Sequence, residues 1–210
     1  LVCFSTGKKR GYFSKNTGKV VIEPKYDHAW VFSDGLASVE EGGFIKFIDG
    51  TGKTVIDQKM PYIINMEGYV FHNGYCVVDT DDGELCGLMD KSGKIVLPRE
   101  YSSIVPTNDL EMWRVAKGKE HGLLDKDLKF VLPMTECTMW ICDNMVDVTL
   151  PDHTMRKYNL QGELINDFYI TSVRTLEYNK EEVLYRTEKT TDDDGNVVDT
   201  TIEAYHPAAN

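Results

Sequence analysis

Apolar and polar residues alternate in short stretches along this chain, and no stretch keeps the 3.6-residue spacing of a helix over three turns. One pattern returns five times: an apolar pair, a short polar turn, and then a run of apolar and β-branched residues. Each copy predicts a β-hairpin, because apolar strands on both sides of a short polar turn are typical of antiparallel pairing. The five copies lie near residues 13–22, 47–56, 88–97, 123–132 and 157–165.

Glycine occupies the same place in four of these five turns, at Gly18, Gly52, Gly93 and Gly162, and Leu128 takes that place in the fourth copy. The five positions follow one another at intervals of 34, 41, 35 and 34 residues. Glycine adopts positive φ at no steric cost. We therefore expect the four glycines at equivalent turn positions between paired strands, and a strained or differently built turn at Leu128.

A second pattern follows the first hairpin at residues 32–39, and it returns at 71–78 and more loosely at 112–115. It predicts a third strand in each unit. Sequential short strands with tight turns favour a meander, and stacked units bury the face that a single unit leaves open. The sequence therefore predicts an all-β array of about five antiparallel three-stranded repeat units, solenoid-like or propeller-like, with little helix.

The first repeat carries the fullest form of the pattern, in residues 10–37. It contains a Gly-aromatic-aromatic step, a Gly-Lys turn before three aliphatic residues, a Pro-x-Tyr-Asp step, a tryptophan and an aromatic-Ser-Asp-Gly-Leu-Ala step. This pattern resembles the WG-repeat family of bacterial proteins, and the resemblance covers roughly residues 10–168. It implies a non-enzymatic repeat protein.

The units depart from the family pattern at the tryptophan that gives the family its name, so no ligand role of that tryptophan carries over. The glycine after it is present in three units, as Gly11, Gly87 and Gly122, but Lys46 replaces it in the second. The residues that stand where the tryptophan is expected are Arg10, Ile45, Cys86, His121 and Met155.

The last part of the chain reads differently. We assign residues 1–178 to the repeat array and residues 179–210 to an acidic C-terminal hairpin and tail, which carries eight acidic residues against three basic ones. Apolar runs on both sides of Asp194 and Gly195 predict the hairpin. We expect it to cap the array, because charge on a terminal edge opposes edge-to-edge pairing.

Charge and hydropathy exclude some partners. Lys and Arg number 23 and Asp and Glu 34, which gives a net charge of −11. Phosphate backbones are bound chiefly by cationic side chains, so we expect no nucleic acid partner. No apolar run approaches the roughly 20 residues of a transmembrane helix. A chain that begins at Leu1, together with the family resemblance, slightly favours a processed envelope or secreted protein, and a cytoplasmic location stays open.

The sequence offers little chemistry for catalysis or metal binding. The five cysteines form no Cys-x-x-Cys pair, and no Cys/His spacing fits a zinc site, so we expect free thiols, no metal and no cofactor. In a tight hairpin Cys76 would face residue 88 or 89, out of register with Cys86. No nucleophile elbow, P-loop or dinucleotide fingerprint is present, and we expect no enzymatic activity.

Aromatic residues cluster after the hairpins, where they either fill the core or remain exposed for a partner. Exposed rings would serve protein binding, which we favour, or carbohydrate stacking as the alternative. An exposed strip of Tyr26 and Trp30 beside carboxylates would favour sugar. The candidate binding residues are Tyr26, Asp27, Trp30, Phe32, Tyr62, Tyr69, Tyr101 and Trp113.

Overall fold

The computed structural model describes residues 1–61, 69–107, 110–152, 154–176, 181–191 and 197–205, and from residue 166 onward the backbone alone. The described residues form strands and turns, which confirms the all-β prediction. In this part of the chain, no helix has the length and apolar character needed to cross a bilayer. Two compact units are present, Leu1–Val115 and Ala116–Asn210.

The first unit contains three antiparallel sheets. Their strand orders are β1-β2-β3, β4-β5-β6-β7 and β11-β10-β9-β8. The strands are β1 (Val2–Thr6), β2 (Lys9–Phe13), β3 (Val20–Tyr26), β4 (His28–Ala29), β5 (Leu36–Glu41), β6 (Phe44–Asp49), β7 (Thr54–Pro61), β8 (Phe71–His72), β9 (Tyr75–Asp79), β10 (Cys86–Asp90) and β11 (Ile95–Tyr101).

A fourth sheet has the order β12-β13-β14-β15, and the division between the two compact units falls within its strand β13. The fifth sheet lies in the second unit and has six strands in chain order, β16 to β21. The strands are β12 (Ser103–Pro106), β13 (Trp113–Lys117), β14 (Glu120–Leu124), β15 (Phe130–Glu136), β16 (Thr138–Cys142), β17 (Met145–Thr149), β18 (Thr154–Asn159), β19 (Leu164–Leu176), β20 (Glu181–Thr191) and β21 (Val197–Tyr205).

The sequence repeat and the sheet are out of phase. Residues 32–39, the second pattern of the first repeat, lead into β5, which pairs with β4 on one side and with β6, the first strand of the next hairpin, on the other. Each repeat therefore contributes strands to two sheets, which links successive sheets along the chain. The short strands β4, β8, β12 and β16 add a fourth strand to the three predicted.

The hairpin turns confirm the predicted equivalence of the glycines. Gly18, Gly52, Gly93 and Gly162 all have positive φ and all lie between antiparallel strands. In the second repeat the Gly52 N–H donates to the Asp49 carbonyl at 2.9 Å, and the Asp49 N–H donates to the Lys53 carbonyl at 2.9 Å. This arrangement is a three-residue loop with a left-handed residue at its end.

Leu128 takes the same turn rather than a different one. Its φ is +60°, and its N–H donates to the Asp125 carbonyl at 3.0 Å, as the glycines of the equivalent turns do. A left-handed leucine costs about 1–2 kcal/mol because Cβ crowds the following carbonyl. The predicted strain is therefore present, and the flanking hydrogen bonds hold the turn in place.

Stacking buries both faces of the second sheet. On one face Ala37, Val39 and Ile48 pack against Tyr12 and other residues of the first sheet. On the other face Leu36, Ile45 and Phe47 pack against the third sheet, with the Phe47 and Phe71 rings edge to face at a 5.0 Å centroid distance. A strand buried on both faces needs apolar residues at successive positions, as Leu36 and Ala37 of β5 and Phe47 and Ile48 of β6 show. β5 also buries Ser38 and Glu40.

Strand geometry explains why glycine follows the position of the missing tryptophan in three repeats. Gly11, Gly87 and Gly122 each stand at a bulge, where the partner strand carries extra residues. At Gly11 a Cβ atom would lie 2.5 Å from the Ile22 carbonyl oxygen and 2.7 Å from the Pro24 nitrogen. Each of these three bulges contains a proline, whereas the bulge opposite Lys46 in the second repeat contains none.

The C-terminal strands continue the fifth sheet. β20 pairs with β19, and β21 pairs with β20 with Val197 opposite Thr191, so β21 is the edge strand of that sheet. Residues 192–196, where the hairpin turn was predicted, lie outside the described residues. The division at residues 178 and 179 and the capping role stay predictions.

Candidate functional site

Four of the predicted binding residues lie in the core. Tyr26, Tyr69, Tyr101 and Trp113 are buried, and the Trp113 ring is in edge contact with the Tyr75 ring. Burial raises the pKa of the Tyr69 hydroxyl to about 12. The prediction of a binding surface is therefore wrong for these four rings. Aromatic side chains fill the space between stacked sheets because they bury so much apolar area.

The other predicted residues stay partly accessible, except Tyr62, which lies outside the described residues. Trp30 and Phe32 are half-buried and both contact Tyr12: the Tyr12 hydroxyl donates to the Trp30 carbonyl at 2.7 Å, and the Tyr12 and Phe32 rings meet edge to face at 4.8 Å. Asp27 is half-buried and accepts a 2.6 Å hydrogen bond from the Lys9 ammonium group, which holds the pKa of its carboxyl low.

These positions do not form the strip that would favour sugar. Tyr26 belongs to the buried cluster between the first two sheets, whereas Trp30 stacks on His28 at a 6.0 Å centroid distance. The exposed strip of Tyr26 and Trp30 that would have favoured carbohydrate binding is therefore absent. The binding role of Asp27, Trp30 and Phe32 stays a prediction.

A different set of exposed residues repeats along the first unit, and we call it the turn row. It consists of Val20, Val21, Val55 and Ile95, which follow the turn lysines at the start of the edge strands β3, β7 and β11. Their exposed fractions are 46%, 45%, 47% and 37%. The exposed residue is the first after the turn lysine in β11, the second in β7, and both in β3. Exposed apolar residues on three successive sheet edges are unusual, because edge strands normally limit them.

Contacts between successive repeats bring this row together. A Cβ atom on Gly52 would lie 3.3 Å from the Ile22 side chain, so the second turn rests on strand β3. The third turn rests on β7 in the same way, where the Gln58 amide donates to the Gly93 carbonyl. The second and third turns therefore each lie on the edge strand of the preceding sheet.

The hydrogen bonds of the turn fix the backbone that presents the row. Asp49 accepts from the N–H groups of Thr51 and Lys53 at 2.9 and 3.1 Å. Asp90 accepts from those of Ser92 and Lys94 at 2.8 and 3.0 Å. The side-chain hydroxyls of Thr51 and Ser92 are the main cause of the lowered pKa of Asp49 and Asp90.

Sequence reasoning missed the turn row because it concentrated on aromatic residues. It also missed Trp140 in the second unit, which is 67% exposed. Trp140 follows Met139, which pairs with Val148 as Ala29 pairs with Val39, so Trp140 is the counterpart of Trp30. The repeat pattern therefore contained a signal for Trp140, namely its equivalence to Trp30.

Other chemistry is sparse. No three His, Cys, Asp or Glu side chains come together as a metal site within the part of the chain that the structure describes. All five cysteines are free thiols. Cys76 pairs with Met89, as its predicted register requires, and Cys86 pairs with Asp79.

The fold and the repeated turns define an all-β repeat protein. Two segments, residues 11–43 and 87–111, match the family model of the WG containing repeat, which confirms the resemblance seen in the sequence. The first segment runs from the glycine at the bulge of β2 to the turn between β5 and β6. No curated protein sequence matches the chain.

Solved structures with similar folds share little sequence with the chain. BamB from Moraxella catarrhalis is 13% identical over 93% of this chain and 71% of that chain, with a TM-score of 0.41. Hsv2p from Kluyveromyces lactis is 11% identical over 97% and 81%, with a TM-score of 0.43. The WD40 beta propeller domain of Doa1 is 13% identical over 93% and 76%, with a TM-score of 0.32.

Proposed function

We propose that this chain is a non-catalytic binding module that presents the turn row to a protein partner. The observation that carries the proposal is the recurrence of an exposed apolar residue beside a turn lysine on three successive sheet edges. A regular surface of this kind suits an extended partner, because each repeat offers a similar contact at the next step along the array.

The chemistry of the row specifies the partner. Lys19 and Lys94 immediately precede Val20 and Ile95, and Thr54 separates Lys53 from Val55. The partner surface should carry apolar side chains flanked by carboxylates, which would meet the ammonium groups at the rim of the interface. Rim charges contribute mainly to association rate and specificity, so binding should weaken as salt rises.

The test compares two triple variants. The row variant is Val20→Ser, Val55→Ser and Ile95→Ser, and the control variant changes three apolar residues of similar exposure elsewhere, Phe44→Ser, Leu85→Ser and Val105→Ser. Proteins cross-linked to the wild type are quantified by mass spectrometry. We expect a set that the control retains and the row variant loses, with both variants folded by circular dichroism. A cross-linked set that does not depend on the row would refute the proposal.

Carbohydrate binding remains the second candidate because of Trp140. Strand register aligns Trp140 with Asp147 on β17 and Lys157 on β18, and the Lys157 ammonium group lies 3.5 Å from the Asp147 carboxylate. An exposed indole beside charged hydrogen-bonding groups suits the apolar face and the hydroxyls of a sugar. Binding to a glycan array that Trp140→Ala abolishes and Trp140→Phe retains would support this role. Glycan binding that does not change in Trp140→Ala, or no glycan binding by the wild type, would rule out this role.

A further inference from the structure

The second unit contains a cavity at the place where the first and third repeats bury a tyrosine ring. In the first and third repeats, the residue before the bulge glycine pairs with a buried tyrosine: Arg10 with Tyr26, and Cys86 with Tyr101. In the fourth repeat, His121 pairs instead with Thr135, which is exposed. In the second repeat Ile45 pairs with the buried Met60, so the first three repeats carry a large buried side chain at this position and the fourth does not.

Strand register shows that the cavity occupies the place of the missing ring. Tyr26 packs in a cluster with Ile22, Ala29 and Val39. Their counterparts in the second unit are Leu132, which pairs with Leu123 as Ile22 pairs with Tyr12, and the pair Met139 and Val148. Leu132, Met139 and Val148 line a partly open cavity of about 270 Å³, together with His121 and Thr135.

This cavity continues into a wider one that opens outward. The wider cavity has a volume of about 490 Å³ and shares His121, Cys137 and Leu150 with the inner one, while Thr149 and Pro151 line its outer part. Pockets of about 300–1,000 Å³ are typical of small-molecule sites. Most of the exposed lining is apolar, and the charged side chains of Lys119, Glu136 and Arg156 also line the two cavities.

His121 supplies a polar group that the fold leaves unused. Its Nδ1 atom is buried and has no hydrogen-bond partner within the described residues. Buried polar atoms are nearly always hydrogen-bonded, because desolvation without a partner costs free energy. Because Nδ1 is not exposed to the cavity, the imidazole ring must turn before a ligand in the cavity can donate a hydrogen bond to it.

We propose that the second unit binds a small phenolic molecule, whose ring takes the place of the missing tyrosine and whose hydroxyl donates a hydrogen bond to His121 Nδ1. Two features specify a phenol rather than a general apolar ligand: the tyrosine rings at the equivalent position of the first and third repeats, and the unpaired nitrogen of His121. This site lies apart from the turn row of the first unit, and the proposal does not rest on the protein-binding role.

The experiment titrates the full chain with p-cresol and with toluene by calorimetry. We expect p-cresol to bind with a dissociation constant of about 1 mM or lower. His121→Leu should weaken p-cresol binding by about 3- to 10-fold, the range for one lost hydrogen bond, and leave toluene binding unchanged.

A second variant fills the cavity. Thr135→Tyr should supply the ring that the first and third repeats have, raise the melting temperature and reduce p-cresol binding at least tenfold. Thr6→Tyr, which adds the same side chain at an exposed position, should change neither. The proposal is wrong if the wild type shows no saturable p-cresol binding, or if His121→Leu and Thr135→Tyr both bind p-cresol as the wild type does.

Discussion

Gly11 lies so close to Ile22 that a Cβ atom on residue 11 would stand 2.5 Å from the Ile22 carbonyl oxygen. Gly11→Ala should therefore force the strands apart and lower the free energy of unfolding by about 1–3 kcal/mol. Lys46, at the corresponding position of the second repeat, already has a side chain. Lys46→Ala removes only a surface ion pair with Glu41 and should cost less than about 1 kcal/mol. Urea unfolding midpoints compare the two, and equal costs would contradict this reason for the glycine.

Replacement of Leu128 by glycine should raise the stability of the protein. Its φ of +60° strains the turn, and Leu128→Gly relieves a cost of about 1–2 kcal/mol, offset in part by the larger backbone entropy of glycine in the unfolded chain. We expect a net gain of about 0.5–1 kcal/mol in the free energy of unfolding. Gly52→Leu makes the opposite change in an equivalent turn and should lower the melting temperature. A loss of stability in Leu128→Gly would show that the packing of its side chain outweighs the strain.

Strand β6 offers a matched pair of phenylalanines. Phe47 is fully buried between two sheets, whereas Phe44, three residues earlier, is 47% exposed. Phe47→Ala should cost about 3–5 kcal/mol, because it removes transfer free energy and leaves a cavity. Phe44→Ala should cost less than about 1 kcal/mol. Chemical denaturation of both variants tests the stacking of sheets, which predicts a large difference between the two.

The turn aspartates Asp49 and Asp90 should make the free energy of unfolding depend on pH in the acid range. Hydrogen bonds from Thr51 and Ser92 hold the pKa of Asp49 and Asp90 below the usual value of about 3.9, so the ionised carboxylates favour the folded state. Their contribution is present above that unfolded-state pKa and is lost as the pH falls through the lower folded pKa.

Asn159 occupies the same turn position in the fifth repeat and accepts N–H groups at 2.9 and 3.0 Å without a charge. The double variant Asp49→Asn and Asp90→Asn should therefore stay folded and lose less stability than the wild type between pH 5 and pH 2. Urea unfolding across that range measures the difference, and parallel curves would show that these carboxylates do not contribute.

The five thiols should differ in reactivity. Cys142 is exposed, whereas burial raises the pKa of Cys86 to about 11 and raises that of Cys76 further. Because the thiolate is the reactive form, a maleimide should label Cys142 first and Cys76 last. Mass spectrometry after timed labelling gives the order, and unfolding without reductant should expose five reactive thiols. Fewer than five would indicate a disulfide in solution.

The sequence by itself determined the repeats of this protein and their local structure. The five hairpins, the turn glycines and the facing of Cys76 follow from short-range rules, because a β-hairpin is specified by its turn residues and by alternation within a few positions. Even the strain at Leu128 was readable, since its place in the repeat requires positive φ whatever residue stands there.

The tertiary structure decided which side chains remain available. The aromatic residues after the hairpins looked alike in sequence, yet stacking buried Tyr26 and Trp113 and left Trp140 exposed. Which ring faces a neighbouring sheet depends on how the second pattern of one repeat pairs with the hairpin of the next, a relation that no single repeat contains. The cavity beside His121 has the same origin, because it arises from one ring missing among contacts that come from separate strands.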